Sequence, residues 1–472
     1  METHERLSAQ DAAFLYAESP VSHMHVGSLV VFENVGLTEE ELNAHIASRL
    51  HLVPRFRKKL AWVPVSQGRP VWVDDPHFDI RFHVRYTGLP RPSGEREAVT
   101  LMGRVMSRPL DRQRPLWELW VFELPENRLG IIHKTHHCLI DGISGVDLGT
   151  VLLDVAKDPP PSDPPPAWRP APVPSKKRLL VDALVDRYTQ PAELYRTWRA
   201  ATQPQRELAR RAAELGQGLF SFSRAALERA PITSLNRPIG PHRRFELVRM
   251  HLDDVKHVKN RFGCTVNDVV LALVTGALRK LLLSRGDYVE GLMLKALVPV
   301  SVRDPSQRQT YGNMISMMTA DLPVGEANPL RRIAFVRERM SGLKESKQAV
   351  GADFWVKFSE YAPPTLLALA GRATAALQRM VNVIVTNVPG PQFPLYLKGG
   401  QMLEAFPFVP IMNNASLGVA VLSYNGQLDF GLCGDWDILP DLGVFAAGLE
   451  ESRLELCALA GPGKITSTSP PG

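Results

Sequence analysis

The sequence predicts an α/β fold in two halves. Strand-like and helix-like runs alternate from Leu7 to about Ala156, a proline-rich stretch interrupts them, and the alternation resumes from about Phe245 to residue 460. A chain of 472 residues with 44% hydrophobic content can bury a large core, and at roughly 100 to 200 residues per domain two domains fit better than one.

In the first half, expected to span 1–157, the runs HVGSLVVFE (25–33), LWELWVFEL (116–124) and LGIIHKTH (129–136) are strand-like. TEEELNAHIASRL (38–50) and GEREAVTLMGRVMS (94–107) place apolar residues at helical spacing. The segment 159–174, PPPSDPPPAWRPAPVP, holds nine prolines in sixteen residues. Proline fixes φ and removes an amide donor, so this stretch sustains neither a helix nor a central strand and reads as a stiff polyproline linker. Together with the helix-rich stretch behind it, the connector is expected to cover 158–244.

From Lys176 to Ala230 there are 11 Lys or Arg against 6 Asp or Glu, so most of the chain's net charge of +6 is concentrated here. LLVDALVDRY (179–188) and LFSFSRAALERA (219–230) mix apolar and basic positions, as an amphipathic surface touching anionic lipid would, or as a solvated face of a connecting helix would. The second half, expected at 245–460, opens with the helix-like TVNDVVLALVTGALRKLLL (265–283). It continues through the strand-like GLMLKALVPVSVR (291–303), NVIVTNVPGP (382–391) and ASLGVAVLSYNGQLDFGLCGD (415–435) to a last helix near 440–460. Asn425-Gly426 between alternating apolar runs is a strong hairpin signal. The tail 461–472, GPGKITSTSPPG, is expected to be disordered.

Cys138, Cys264, Cys433 and Cys457 are far apart and form no CxxC pair, which argues against a disulfide framework or a zinc finger and fits a reducing, cytoplasmic setting. The polar, partly acidic start METHERLSAQDAAF lacks the basic and apolar regions of a secretory signal. The two most apolar windows, 265–283 and 365–385, are interrupted by Arg279 and Lys280 and by Arg372 and Arg379. A membrane is therefore expected to be met from its surface, and no nucleic-acid partner is expected.

KTHHCLIDGISG (134–145) sets two histidines before an aspartate and a glycine, between a strand-like and a helix-like run. Strand alternation sends His133, Thr135 and His137 to one face and Ile132, Lys134 and His136 to the other, so the adjacent histidines diverge. A mononuclear metal centre needs three or four convergent ligands, and neither HExxH nor a Cys/His cluster is nearby. One imidazole, near neutral pKa at a strand end, can instead take a proton from an attacking hydroxyl. Asp141 and Gly142 fit a sharp strand-to-helix turn; Asp141 could cap that turn or orient His137 as in a triad, although no serine or cysteine sits in a GxSxG-like elbow.

Residues 136–142, HHCLIDG, match the HHxxxDG signature, and here the chain resembles the acyl-CoA-dependent acyltransferases related to chloramphenicol acetyltransferase and to peptide-synthetase condensation domains. Further stretches narrow the resemblance: LSAQDAAFLYAE, SHMHVG, GRPVWVDDPHFDIRFHV, RPLWELWVFE, TVNDVV, LVPVSVR with YGNMIS, and TNVPGPQFPLY. In that order they are similar to the bacterial wax ester synthase/diacylglycerol acyltransferase family, over roughly residues 7 to 460.

The resemblance implies two chloramphenicol-acetyltransferase-like α/β domains with mixed sheets, facing one another across an active-site tunnel. It makes His137 the general base, His136 its neighbour in the motif, and Asp141 chiefly a structural residue of the loop. Thr265 and Asp268 read as a capping box, but in the family this stretch lies by the active site, which makes Asn267 the candidate amide for the oxyanion. Leu116 and Trp117 are expected in the core, and Pro389, Gly390 and Pro391 in a rigid turn. The implied reaction moves a long-chain acyl group from acyl-CoA, a co-substrate, to diacylglycerol or a long-chain fatty alcohol, with no metal or redox cofactor. It would take place peripherally at the inner membrane or at lipid droplets. The alternatives are a related CoA-dependent acyltransferase with another alcohol acceptor, and a non-catalytic protein that binds lipid droplets.

Overall fold

Three sheets organise the chain. The computed structural model describes residues 5–139, 149, 152–160, 164–185, 229–301, 315–345 and 380–461. The strands of the first half are β1 (Glu5–Arg6), β2 (His25–Glu33), β3 (Lys58–Ala61), β4 (Val71–Asp74), β5 (Val84–Tyr86), β6 (Trp117–Leu124) and β7 (Arg128–His136). Those of the second are β8 (Arg243–His251), β9 (Leu294–Ser301), β10 (Ile315–Leu322), β11 (Val383–Pro389), β12 (Tyr396–Leu397), β13 (Gly400–Phe408), β14 (Leu417–Tyr424) and β15 (Gln427–Asp435). The helices that matter here are α1 (Ala9–Ala17), α2 (Glu39–Arg49), α3 (Ile80–His83), α4 (Glu95–Met106), α5 (Leu252–Phe262), α6 (Val266–Ser284), α7 (Pro329–Glu345) and α8 (Leu442–Ala460). Outside the connector and the run 365–379, the strand-like and helix-like runs read from the sequence fall on these elements, with 415–435 covering both β14 and β15.

Both large sheets are mixed. In the first, ordered β12-β13-β2-β7-β6-β5, only the β5–β6 pair is parallel. In the second, ordered β10-β9-β11-β14-β15-β8, the β9–β11 and β11–β14 pairs are parallel and the others antiparallel. The small sheet β1-β4-β3 lies to one side. Asn425 and Gly426 both adopt positive φ and close the β14–β15 hairpin with Tyr424 opposite Gln427, as an Asn-Gly turn should.

Residues 396–408, which a division by chain order assigns to the second half, are strands of the first sheet: β13 pairs along β2, from Phe32 opposite Met402 to Gly27 opposite Phe408. The same strand packs on the β14–β15 hairpin. Asp429 Oδ2 accepts the Ala405 N–H at 3.0 Å, and the Tyr424 hydroxyl donates to the Met402 carbonyl at 3.0 Å. A Cβ on Gly431 would stand 1.8 Å from the Pro407 carbonyl oxygen, so only glycine allows this approach.

One apolar cluster fills the seam between the halves. α4 contributes Ala98, Met102, Val105 and Met106 at helical spacing, and these meet Phe245, Phe406, Phe408 and Cys433. Polar contacts seal it: the Arg243 N–H donates to Ser107 Oγ at 2.9 Å, its guanidinium donates to the Val21 carbonyl, and Ser22 Oγ donates to the Ile411 carbonyl at 2.9 Å.

The connector does not hang free where it is described. Trp168 lies under Arg57 at 4.6 Å, and the Ala171 N–H donates to Asp74 Oδ2 at 2.8 Å. Residues 176–185 are helical, and Leu179 is buried against Val71 and Val73 of the small sheet. The second helix-like stretch, 219–230, lies almost wholly outside the described residues, as do Arg206, Arg210 and Arg211, most of the apolar run 365–385 and nearly all of the tail.

Candidate active site

The histidine pair stands where β7 ends. Antiparallel pairing sets His25 of β2 opposite His136, and at His137 the strand gives way to a single 3-10 turn, His137–Leu139. Strand alternation therefore stops one residue earlier than the sequence pattern implies. The rings still part company: His137 stacks on Phe14 of α1 with centroids 3.9 Å apart and planes 17° from parallel, whereas His136 turns toward Glu18 at the C-terminal end of α1.

Glu18 is the electrostatic centre of the cluster. Its Oε1 accepts the Met24 N–H at 2.8 Å and lies 3.1 Å from His136 Nε2, close but off the ideal hydrogen-bond line, and 3.8 Å from His25 Nε2. Its Oε2 accepts a hydrogen bond from the Arg112 guanidinium. Burial alone would raise the carboxyl, but His136, Arg112 and the Met24 amide together hold it down at about 2. His136 Nδ1 accepts the Cys138 N–H at 3.0 Å, so in the neutral ring the proton sits on Nε2, facing Glu18.

His137 is fixed through its backbone, whose N–H donates to the Met24 carbonyl at 2.8 Å. Burial depresses its pKa; a hydrogen bond to its own main chain works the other way, and His136 lowers it further. Of the two ring nitrogens only Nδ1 can reach the residue's own carbonyl. Burial thus favours the neutral ring near pH 7, and a proton held on Nδ1 by that carbonyl would leave Nε2 as the basic atom. Such a ring, just past a strand end, can accept a hydroxyl proton.

The other sequence-predicted residues divide. Asp141 and Gly142 lie outside the described residues. Asn267 stands half-buried in the first turn of α6, and no described hydrogen bond or ring contact joins it to His137. Thr265 and Asp268 form the reciprocal capping box, with backbone-to-side-chain distances of 2.8 and 3.2 Å. Leu116 and Trp117 are core residues: Trp117 is 1% exposed, stacks on His83 at 4.5 Å and donates its Nε1 proton to the Phe56 carbonyl. Gly390 donates its N–H to the Ser423 carbonyl, and a Cβ there would meet that oxygen at 2.4 Å, so the Pro389-Gly390-Pro391 turn is structural. Among the described residues no group of three or more His, Cys, Asp or Glu is arranged to hold a metal ion.

Sequence reasoning passed over Phe14, Glu18, Met24 and Arg112. Two stretches carried the first three in plain sight, LSAQDAAFLYAE and SHMHVG, and Arg112 lies in neither; nothing in their spacing says that they converge on the histidine pair.

Known proteins match this arrangement from end to end. Residues 7–270 match the wax ester synthase/diacylglycerol acyltransferase catalytic domain, and residues 311–456 match the C-terminal domain of the same enzymes. A chain named as a probable diacylglycerol O-acyltransferase of Mycobacterium tuberculosis is 34% identical over 467 residues, covering 98% of this chain and 97% of the relative. The solved wax ester synthase/diacylglycerol acyltransferase of Marinobacter aquaeolei superposes with a TM-score of 0.68 at 26% identity, over 97% of this chain and all of the other. The starter condensation domain of a rhizomide synthetase, solved with C8-CoA, shares the two-lobed fold: TM-score 0.54, 15% identity, 98% of this chain and 95% of that one.

Proposed function

The chain belongs to the wax ester synthase/diacylglycerol acyltransferase family, and from that premise we propose that His137 is the base in its transfer of an acyl group from acyl-CoA to diacylglycerol or a long-chain alcohol. Nε2 of His137 takes the hydroxyl proton of the acceptor as its oxygen attacks the thioester carbonyl. The tetrahedral oxyanion collapses, the C–S bond breaks, and the departing CoA sulfur receives the proton from His137. No group of the protein is acylated, so the transfer needs both substrates together. We place Asn267 as the amide that steadies the oxyanion and Asp141 as a residue of the loop, and we assign no metal or redox cofactor to the step.

The observation that carries this reading is the placement of His137, with its backbone N–H on Met24 and its face on Phe14, where burial disfavours the charged ring. An imidazole held in place and kept uncharged is what proton abstraction at neutral pH requires. The test is a purified-protein assay of CoA release from a long-chain acyl-CoA, with diacylglycerol and hexadecanol in competition and products separated by class. His137→Ala should reduce turnover roughly 10² to 10⁴-fold with the fold intact, and His136→Ala should matter less. A dead His136→Ala beside an active His137→Ala would reverse the assignment.

Both acyl chains are insoluble, so the enzyme is proposed to work peripherally on an inner membrane or lipid droplet facing the cytoplasm. No described helix is long and apolar enough to cross a membrane. Support for surface contact comes from the connector, where Lys176, Lys177 and Arg178 are exposed beside Val181, Leu184 and Val185, three apolar side chains also left exposed. Basic residues reaching an anionic surface contribute about 1 kcal/mol each, screened by salt. Binding to anionic vesicles should therefore weaken as salt rises, and Arg206, Arg210 and Arg211 replaced together by Gln should weaken it at low salt without slowing turnover of detergent-dispersed substrate. Vesicle co-sedimentation reads both; unchanged binding of the triple variant would move docking elsewhere.

A further inference from the structure

We infer that Glu18 is a positioning residue for acyl transfer, fixing the backbone on both sides of His137 through Met24 and His136; the inference rests on His137 being the base. Two paths leave one carboxylate oxygen, the first a chain of hydrogen bonds and the second a close contact with an imidazole. Oε1 receives the Met24 N–H at 2.8 Å, and the carbonyl of the same Met24 receives the N–H of His137 at 2.8 Å. Oε1 also stands 3.1 Å from His136 Nε2, and Nδ1 of that ring receives the N–H of Cys138 at 3.0 Å. The amides of residues 137 and 138, which set where the turn points the His137 ring, are thus both anchored to groups that Glu18 holds.

A carboxylate suits this place for a physical reason. The Met24 amide and the His136 ring approach Oε1 from different segments while Arg112 occupies Oε2 and compensates the buried charge, so both oxygens are used. The neighbourhood also rules out a direct role. Glu18 reaches His136 and not His137, whose ring packs on Phe14 instead. The charge of Glu18 is absent from the influences on the pKa of His137, which come from burial, its own main chain and His136. The effect is therefore on placement, and a misplacement of about 1 Å is enough to cost on the order of 10²-fold in rate.

The experiment compares Glu18→Ala, Glu18→Gln and His137→Ala in the full-length enzyme with a long-chain acyl-CoA and hexadecanol. Glu18→Ala should lower kcat roughly 10²-fold with KM for both substrates within about threefold. Glu18→Gln keeps an oxygen for Met24 and His136 and should stay within about tenfold of the parent. In neither variant should the acid limb of the kcat/KM profile move, because placement, not proton affinity, has changed. ¹⁵N shifts of the His136 ring should show the proton on Nε2 in the parent and in Glu18→Gln.

Parent-like kcat in Glu18→Ala, or an acid limb displaced equally in both variants, overturns the inference. Should Glu18→Ala fail to fold, Glu18→Gln decides: a folded Gln variant as slow as His137→Ala overturns it, and one within tenfold that keeps the His136 tautomer supports it. An active His137→Ala would instead remove the base assignment, whatever the Glu18 variants do.

Discussion

A histidine that works as a base must be neutral before it can accept a proton, and burial gives His137 that property. Because its pKa is depressed, protonation sets in only below the ordinary imidazole value of about 6.5. The acid limb of kcat/KM should therefore fall below that pH, and a limb at 7 or above would mean that another group is being titrated. For Asp141→Ala the expected outcome is a lowered melting temperature along with lost activity, since the turn would loosen; a variant inactive at the parent's melting temperature would favour the triad role. At this scale the motif was legible, and its surroundings were not. HHxxxDG identifies residues 136, 137, 141 and 142 from their own spacing. Glu18 reaches His136 only because α1 folds back onto the end of β7, a tertiary fact that no local pattern encodes.

Helix α6 begins with a capping box, and its first turn also holds the candidate oxyanion amide, so one turn offers two roles that mutation can separate. Thr265→Ala removes the acceptor for the Asp268 N–H and should cost about 1 kcal/mol of stability, seen as a lower melting temperature with kcat little changed. Asn267→Ala should do the opposite, lowering kcat roughly 10² to 10³-fold while the melting temperature holds. If Asn267→Ala turns over normally, the oxyanion is stabilised from elsewhere. Elements such as α4, α6 and the β14–β15 hairpin were legible because periodicity, a cap or an Asn-Gly turn is written within each. The connector was legible only in outline: nine prolines predict an extended segment, but not that Trp168 and Leu179 would pin it to the first half. Such docking depends on surfaces formed by distant residues, here Arg57 and the small sheet.

Across the whole molecule, several histidines are kept neutral by burial, with His25 well below its ordinary value and His83 at about 4. Their sign is unambiguous: unfolding frees these rings to bind protons below about 6.5, so stability should fall as the pH drops from there toward 4. Glu18 adds a second loss between its ordinary 4.5 and about 2. Melting temperatures measured from pH 7 down to 4 should decline steadily, and a flat profile would contradict the burial of these rings. At the joint between the halves, Gly431→Ala should cost about 1–3 kcal/mol, because its methyl group would push Pro407 away. Two lobes could be read from the break in composition; the passage of β13 into the first sheet could not, since strand partners are chosen by the folded surface. That passage sets an order of events. A ribosome delivers β2 and the histidine pair hundreds of residues before β13, so the growing chain must carry β2 with one edge unpaired until residue 408 emerges. The lobe that holds the histidine pair is thus the first to be begun but is completed only when residue 408 has been made, and a chain released early would present that open edge to its neighbours.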